Sequence, residues 1–135
     1  MDCRVELELR GVPKSRPRFN TYTGRAITDK KTKDFEQTVA WLYKSNGGKY
    51  FKDKNIRMRV EFHFEVPKSY TKKKKEEALN GIVRPTRSDI DNLLKSVQDG
   101  LNGIAYLDDR TICEISAIKK YSDKDRIVIG IEEIK

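Results

Sequence analysis

Apolar residues fall on every second position from Ile56 to Val66, with Met58, Val60, Phe62 and Phe64 between them, while Arg57, Arg59, Glu61, His63 and Glu65 take the alternate positions. A period of two sends these sets to opposite faces of a β-strand, so this is the clearest strand in the chain and His63 is expected among the solvated side chains. A shorter alternation sets Val5, Leu7 and Leu9 against Arg4, Glu6, Glu8 and Arg10, and ends at Gly11 and Pro13. Helical spacing takes over from about Thr32 to Ser45, where Phe35, Val39, Leu42 and Tyr43 share a face and Asn46-Gly47-Gly48 supplies a stop. A second helix is predicted from Asp89 to about Leu101. Its apolar face is Ile90, Leu93, Leu94, Val97 and Leu101, and Asn102-Gly103 terminates it. Ile112 to Tyr121 and Arg126 to Ile134 read as strands joined around Ser122-Asp123-Lys124-Asp125 into a hairpin.

Strand, helix, strand, helix and hairpin in that order predict an α/β (α+β) fold, a small mixed β-sheet with helices packed on it. The 135 residues suit one domain covering 1–135. Two segments fall outside the pattern. Lys14 to Arg25 is a basic, aromatic loop in which Arg16, Arg18 and Arg25 alternate with Phe19 and Tyr22. Lys72-Lys73-Lys74-Lys75-Glu76-Glu77, between Pro67 and Gly81, has little to bury and reads as a short exposed helix or a mobile loop.

Charge narrows the function classes. Lys and Arg exceed Asp and Glu by eight, which favours polyanions, nucleic acid foremost, through phosphate neutralisation and counterion release. Cys3 and Cys113 have no metal-ligand spacing and read as small buried hydrophobes on strands, suited to a reducing cytoplasm. The longest apolar stretch, Ile127 to Ile131, is far too short to span a membrane. With His63 as its one histidine, the chain offers no Ser-His-Asp or Cys-His constellation, and it has neither a Walker A loop nor a Rossmann glycine fingerprint.

The chemistry concentrates between Arg84 and Arg110, in RPTRSDIDNLLKSVQDGLNGIAYLDDR. Asp89 and Asp91 open the second helix, where unpaired N–H groups and the helix dipole favour negative charge; a plain capping role explains them equally well. Asp91, Lys95 and Asp99 follow one another at four-residue steps, a polar stripe on a different side from Leu93, Val97 and Leu101. Its bland reading is a pair of surface ion pairs. Asp108 and Asp109 then return acidic charge just before the next strand. Two like charges about 4 Å apart repel by roughly 1 to 4 kcal/mol, so such a cluster calls for a cation. Oxygen ligands without His or Cys select a hard divalent ion, magnesium or manganese. An EF-hand is excluded, because its sixth and twelfth positions counted from Asp89 are Leu94 and Gly100. An open site of this kind on a basic protein suggests phosphodiester hydrolysis, with Lys95 beside the reacting phosphate. The reading requires Asp89, Asp91 and Asp109 to converge within about 4 to 6 Å.

The motif D-I-D-N-L-L-K-x-x-x-D-x-L-N-G, followed by L-D-D-R-x-I and preceded near the N-terminus by Pro13-Lys14-Ser15-Arg16-Pro17-Arg18-Phe19, resembles the RusA family of Holliday-junction resolvases of bacteria and their prophages. The resemblance implies that Asp89, Asp91 and Asp109 hold the metal, with Asp108 the alternative to Asp109, and that Lys95 is the catalytic lysine. It also implies a magnesium-dependent homodimer acting on branched DNA. Lys14, Arg16, Arg18, Arg84 and Arg87 are the candidate phosphate contacts, with Phe19 or Tyr22 stacking at the junction centre. Two alternatives remain at this point: a DNA-binding module without nuclease activity, and a nuclease for other branched DNA.

Overall fold

The computed structural model describes residues 1–14, 18–19, 26–27 and 30–135. Strands β1 (Asp2–Leu7), β4 (Ile56–Glu65), β5 (Ile112–Ser122) and β6 (Arg126–Glu133) form a four-stranded sheet in the order β1-β6-β4-β5. β6 runs antiparallel to both β1 and β4, and β4 runs parallel to β5, which makes the sheet mixed as expected. The short strands β2 (Arg18–Phe19) and β3 (Ala26–Ile27) pair separately. Helices α1 (Lys30–Ser45), α2 (Lys72–Leu79) and α3 (Ile90–Leu101) complete the architecture.

The expected hairpin of the last two strands does not form, because β4 lies between β5 and β6. A parallel neighbour for β4 requires a long crossover, and residues 66–111 supply it. The return from β5 to β6 then passes beyond the end of β4. There the Glu65 N–H donates to Asp125 Oδ1 at 2.8 Å and the Val66 N–H donates to the Ser122 carbonyl at 3.2 Å. The turn residues thus satisfy the terminal donors of the strand they step over.

One face of the sheet carries the core. Ile56, Met58, Val60, Phe62 and Phe64 of β4 lie buried with Val5, Leu7, Ile127, Ile129 and Ile131, beneath Phe35, Val39 and Tyr43 of α1 and Leu93, Val97 and Leu101 of α3. The helices approach so closely that a Cβ on Gly100 would stand 3.0 Å from the Glu36 carbonyl oxygen. At the end of α3 the chain turns through Gly103 at φ +77°, a conformation open to glycine.

Three local expectations change. His63 does sit on the charged face of β4, yet only 7% of it is exposed, since Glu61 holds its Nε2 at 3.1 Å and its cross-strand neighbours are Lys120 and Arg126. Cys113 is exposed and Cys3 half-buried, so neither is a core residue. The lysine run is helical from Lys72: the Thr71 hydroxyl accepts the Lys74 N–H at 3.2 Å as an N-cap, and Ala78 supplies the buried contact. Among the described residues, no helix is long and apolar enough to cross a membrane.

Candidate active site

α3 presents the two faces its sequence encodes. Leu93, Ser96, Val97, Gly100 and Leu101 are buried, whereas Asp91 and Lys95 face solvent and Asp99 is half-buried. Asp89 occupies the N-cap position but makes no side-chain cap hydrogen bond, and Asp91 Oδ1 accepts the Asn92 N–H at 3.0 Å. The start of the helix therefore carries one carboxylate free of capping and another engaged by a single local donor.

Lys95 joins the two halves of the acidic motif. Its Nζ lies 3.1 Å from Asp99 and 3.5 Å from Asp109, which the chain returns to α3 on a single 3-10 turn, Asp109–Thr111. The Asp99 carboxylate holds the ammonium above the usual lysine range against the opposing effect of burial, and Asp109 adds to it. Asp108 faces a different partner. As N-cap of the 3-10 turn it accepts the Arg110 N–H at 3.1 Å, a hydrogen bond that holds its carboxyl below the usual range. Of the doublet, Asp109 contacts the α3 stripe through Lys95, and Asp108 caps.

The N-terminal loop reaches the same helix from behind. The Lys14 N–H donates to the Asn92 carbonyl at 2.9 Å, and the Ser96 hydroxyl bonds the carbonyls of Val12 and Leu93. Lys14 Nζ sits between Glu36 of α1 at 2.6 Å and Asp99 at 3.0 Å. Arg84 is also engaged, donating to the carbonyls of Gly81 and Lys119, both at 3.1 Å. Arg87 is exposed and makes no ion pair among the described residues. Arg18 and Phe19 form β2, and Arg16 and Tyr22 lie outside the described residues.

Asp89 and Asp91 stand at the start of α3, and Asp109 is turned to Lys95. Among the described residues no three His, Cys, Asp or Glu side chains are grouped to hold a metal ion. Positive charge already lies within the cluster, with the Lys95 ammonium between Asp99 and Asp109 and the Lys14 ammonium on the other side of Asp99. The oxygen-only donor set suits a hard cation, and Asp109 would have to exchange its contact with Lys95 for the ion to join Asp89 and Asp91 around it.

Sequence reasoning missed a neighbouring group. A cavity of about 480 Å³ lies beside the approach to Asp89, with Arg87 in its wall together with Arg10, Phe64, Tyr70 and Tyr121. These residues come from four separate segments, and only Arg87 stands near a recognisable motif. A second groove, of about 450 Å³, lies on the open sheet face around Gly130, away from the acidic stripe. Its Arg57 is already paired with Glu114 and Glu132, and its Arg59 with Glu61.

Comparison with known proteins adds a lineage to this geometry. A family model described as endodeoxyribonuclease RusA matches residues 8–132. The chain is 34% identical over 141 residues to the uncharacterized protein YqaN of Bacillus subtilis (strain 168), with 99% of each chain covered.

Proposed function

This chain belongs to the RusA family of endodeoxyribonucleases, and from that premise we propose that it resolves four-way DNA junctions by paired, magnesium-dependent nicks at Asp89, Asp91, Lys95 and Asp109. The observation that carries the reading is the contact of Lys95 Nζ with Asp109 at 3.5 Å, which links the helix-borne half of the motif to the doublet. An ammonium fixed above its usual pKa beside carboxylates is a permanent positive charge, suited to the negative charge that grows on a phosphate under attack. Asp99 orients it. Asp89 and Asp91 are the proposed magnesium ligands, joined by Asp109; when bound, the ion would acidify a water and neutralise the phosphate. Arg87, Arg16, Arg18 and Phe19 are the proposed DNA contacts. Lys14, held by Glu36 and Asp99, and Arg84, bonded to the carbonyls of Gly81 and Lys119, would reach phosphate only by exchanging those contacts.

A synthetic four-way junction tests this. Symmetric nicks should depend on added magnesium or manganese and stop on chelation. Asp91→Asn should reduce cutting by roughly 10²-fold or more while leaving junction binding intact or tighter, since it removes a charge repelled by phosphate. Normal cutting by that variant would remove the metal-site proposal, and equal cutting of unbranched duplex would remove the junction preference.

A further inference from the structure

The cavity beside the approach to Asp89 is built unlike a general phosphate patch. Tyr70 and Tyr121 meet edge to face with ring centroids 6.0 Å apart, and their hydroxyls are 3.1 Å apart. Arg10 lies over the Phe64 ring, 5.1 Å from its centroid, and is 3.6 Å from Asp125. Lys74 of α2 stands 4.1 Å from the centroid of the Tyr70 ring, and the lysine run itself is not part of the cavity wall. Arg10, Lys68 and Arg87 give the wall three basic residues against one acidic, Glu65.

Its position is fixed as firmly as its lining. Pro85 is buried, Thr86 and Arg87 belong to the wall, and the chain reaches Asp89 two residues later. Ser88 between them adopts φ +71°, and its carbonyl accepts from Lys119 Nζ at 2.8 Å. A strained turn tied to β5 therefore sets the cavity and the start of α3 in a constant relation. The volume, about 480 Å³, lies in the roughly 300–1,000 Å³ range of small-molecule sites.

We propose that this cavity is a nucleotide subsite, which takes one unpaired nucleotide of the strand next to the nuclease centre, its base against Tyr70 and Tyr121 and its phosphate between Arg10 and Arg87. Aromatic rings offer sequence-tolerant stacking to an unstacked base, and guanidinium groups suit phosphate oxygens. A base held in a paired duplex cannot enter, so the subsite selects DNA that is open beside the cut. That selection deepens the junction-nuclease reading and rests on it for the identity of the strand.

The whole chain, isotope-labelled and titrated with 5′-phosphorylated tetrathymidylate, gives a test independent of cutting. The ring signals of Tyr70 and Tyr121 should shift together. Tyr121→Leu, which keeps apolar volume without a stacking ring, and Arg87→Ala, an exposed position, should each weaken binding at least about fivefold. Shifts confined to Lys72–Lys75, or variants that bind as the parent does, overturn the subsite. Ring shifts in a protein that cuts no junction support the subsite and overturn the nuclease reading; cutting without ring shifts does the reverse.

Discussion

Glu36, Lys14, Asp99, Lys95 and Asp109 form an unbroken chain of contacts from α1 across α3 to the 3-10 turn, with separations of 2.6, 3.0, 3.1 and 3.5 Å. Asp99 is its shared member, flanked by both lysines. Burial lowers the Lys14 pKa, but the hydrogen bonds it donates to Glu36 and Asp99 outweigh it and hold the ammonium above the usual lysine range. A raised lysine pKa stabilises the fold fully below the unfolded value, about 10.4, and loses that contribution as pH rises through the folded one. Lys14→Met keeps the stem and removes the charge, so the fold should lose about 1 kcal/mol after allowance for solvent screening. Thermal melts should show a gap of about 4 °C between parent and variant that holds from about pH 7 to 10 and closes above. A gap that widens with alkalinity would contradict the network. The sequence displays the Lys95–Asp99 step of this chain, because the two stand four residues apart on one helix. It hides the Lys14 link, since nothing local relates a loop lysine to a glutamate 22 residues away.

At the scale of elements, Gly100 is where α1 and α3 touch, and its replacement sets two effects against each other. Alanine gains up to about 1 kcal/mol of helix propensity over glycine. Its Cβ would also meet the Glu36 carbonyl oxygen at 3.0 Å, with Glu36 Cα and Val39 Cβ at 3.2 Å. Backbone cannot swing aside as a side chain can, and overpacking costs about 1 to 3 kcal/mol, so the clash wins. Gly100→Ala should therefore lower stability by about 1 kcal/mol in urea denaturation and slow cutting as well, because α1 would carry Glu36 away from Lys14. A stabilised variant would show that the helices stand further apart. Periodicity made α1, α3 and all four sheet strands legible: α1, α3, β1, β4 and β6 each bury an apolar face, and β5, which buries none of its residues fully, is marked by Ile112, Ile115, Ile118 and Tyr121. Strand partnership was not legible. Ile112–Tyr121 and Arg126–Ile134 look like a hairpin because pattern reports which face a strand buries and says nothing of a third strand that ends, at Glu65, just where the connection can step over it. His63 misleads for a related reason, as it is covered by neighbours from strands far away in sequence.

The whole molecule carries an excess of eight positive charges, and the proposed nuclease centre has one acidic stripe, on α3. Resolving a four-way junction takes two cuts, in strands of like polarity placed symmetrically about the crossover. One stripe can address one phosphate at a time, and a lone chain would have to release the half-cut junction and rebind it in the opposite sense. A two-fold dimer meets the symmetry of the substrate with two identical sites and lets the second cut follow within one encounter. The expected state is therefore a dimer at micromolar concentration, measured by light scattering. Mixing parent chains with Asp91→Asn chains supplies the functional counterpart. Dimers with one competent site should nick one strand and leave the junction otherwise intact, so that single nicks accumulate as the variant fraction rises. A monomer by scattering that still makes paired cuts with full activity, or a mixture in which paired and single cuts fall in the same proportion, would remove the dimer from the mechanism.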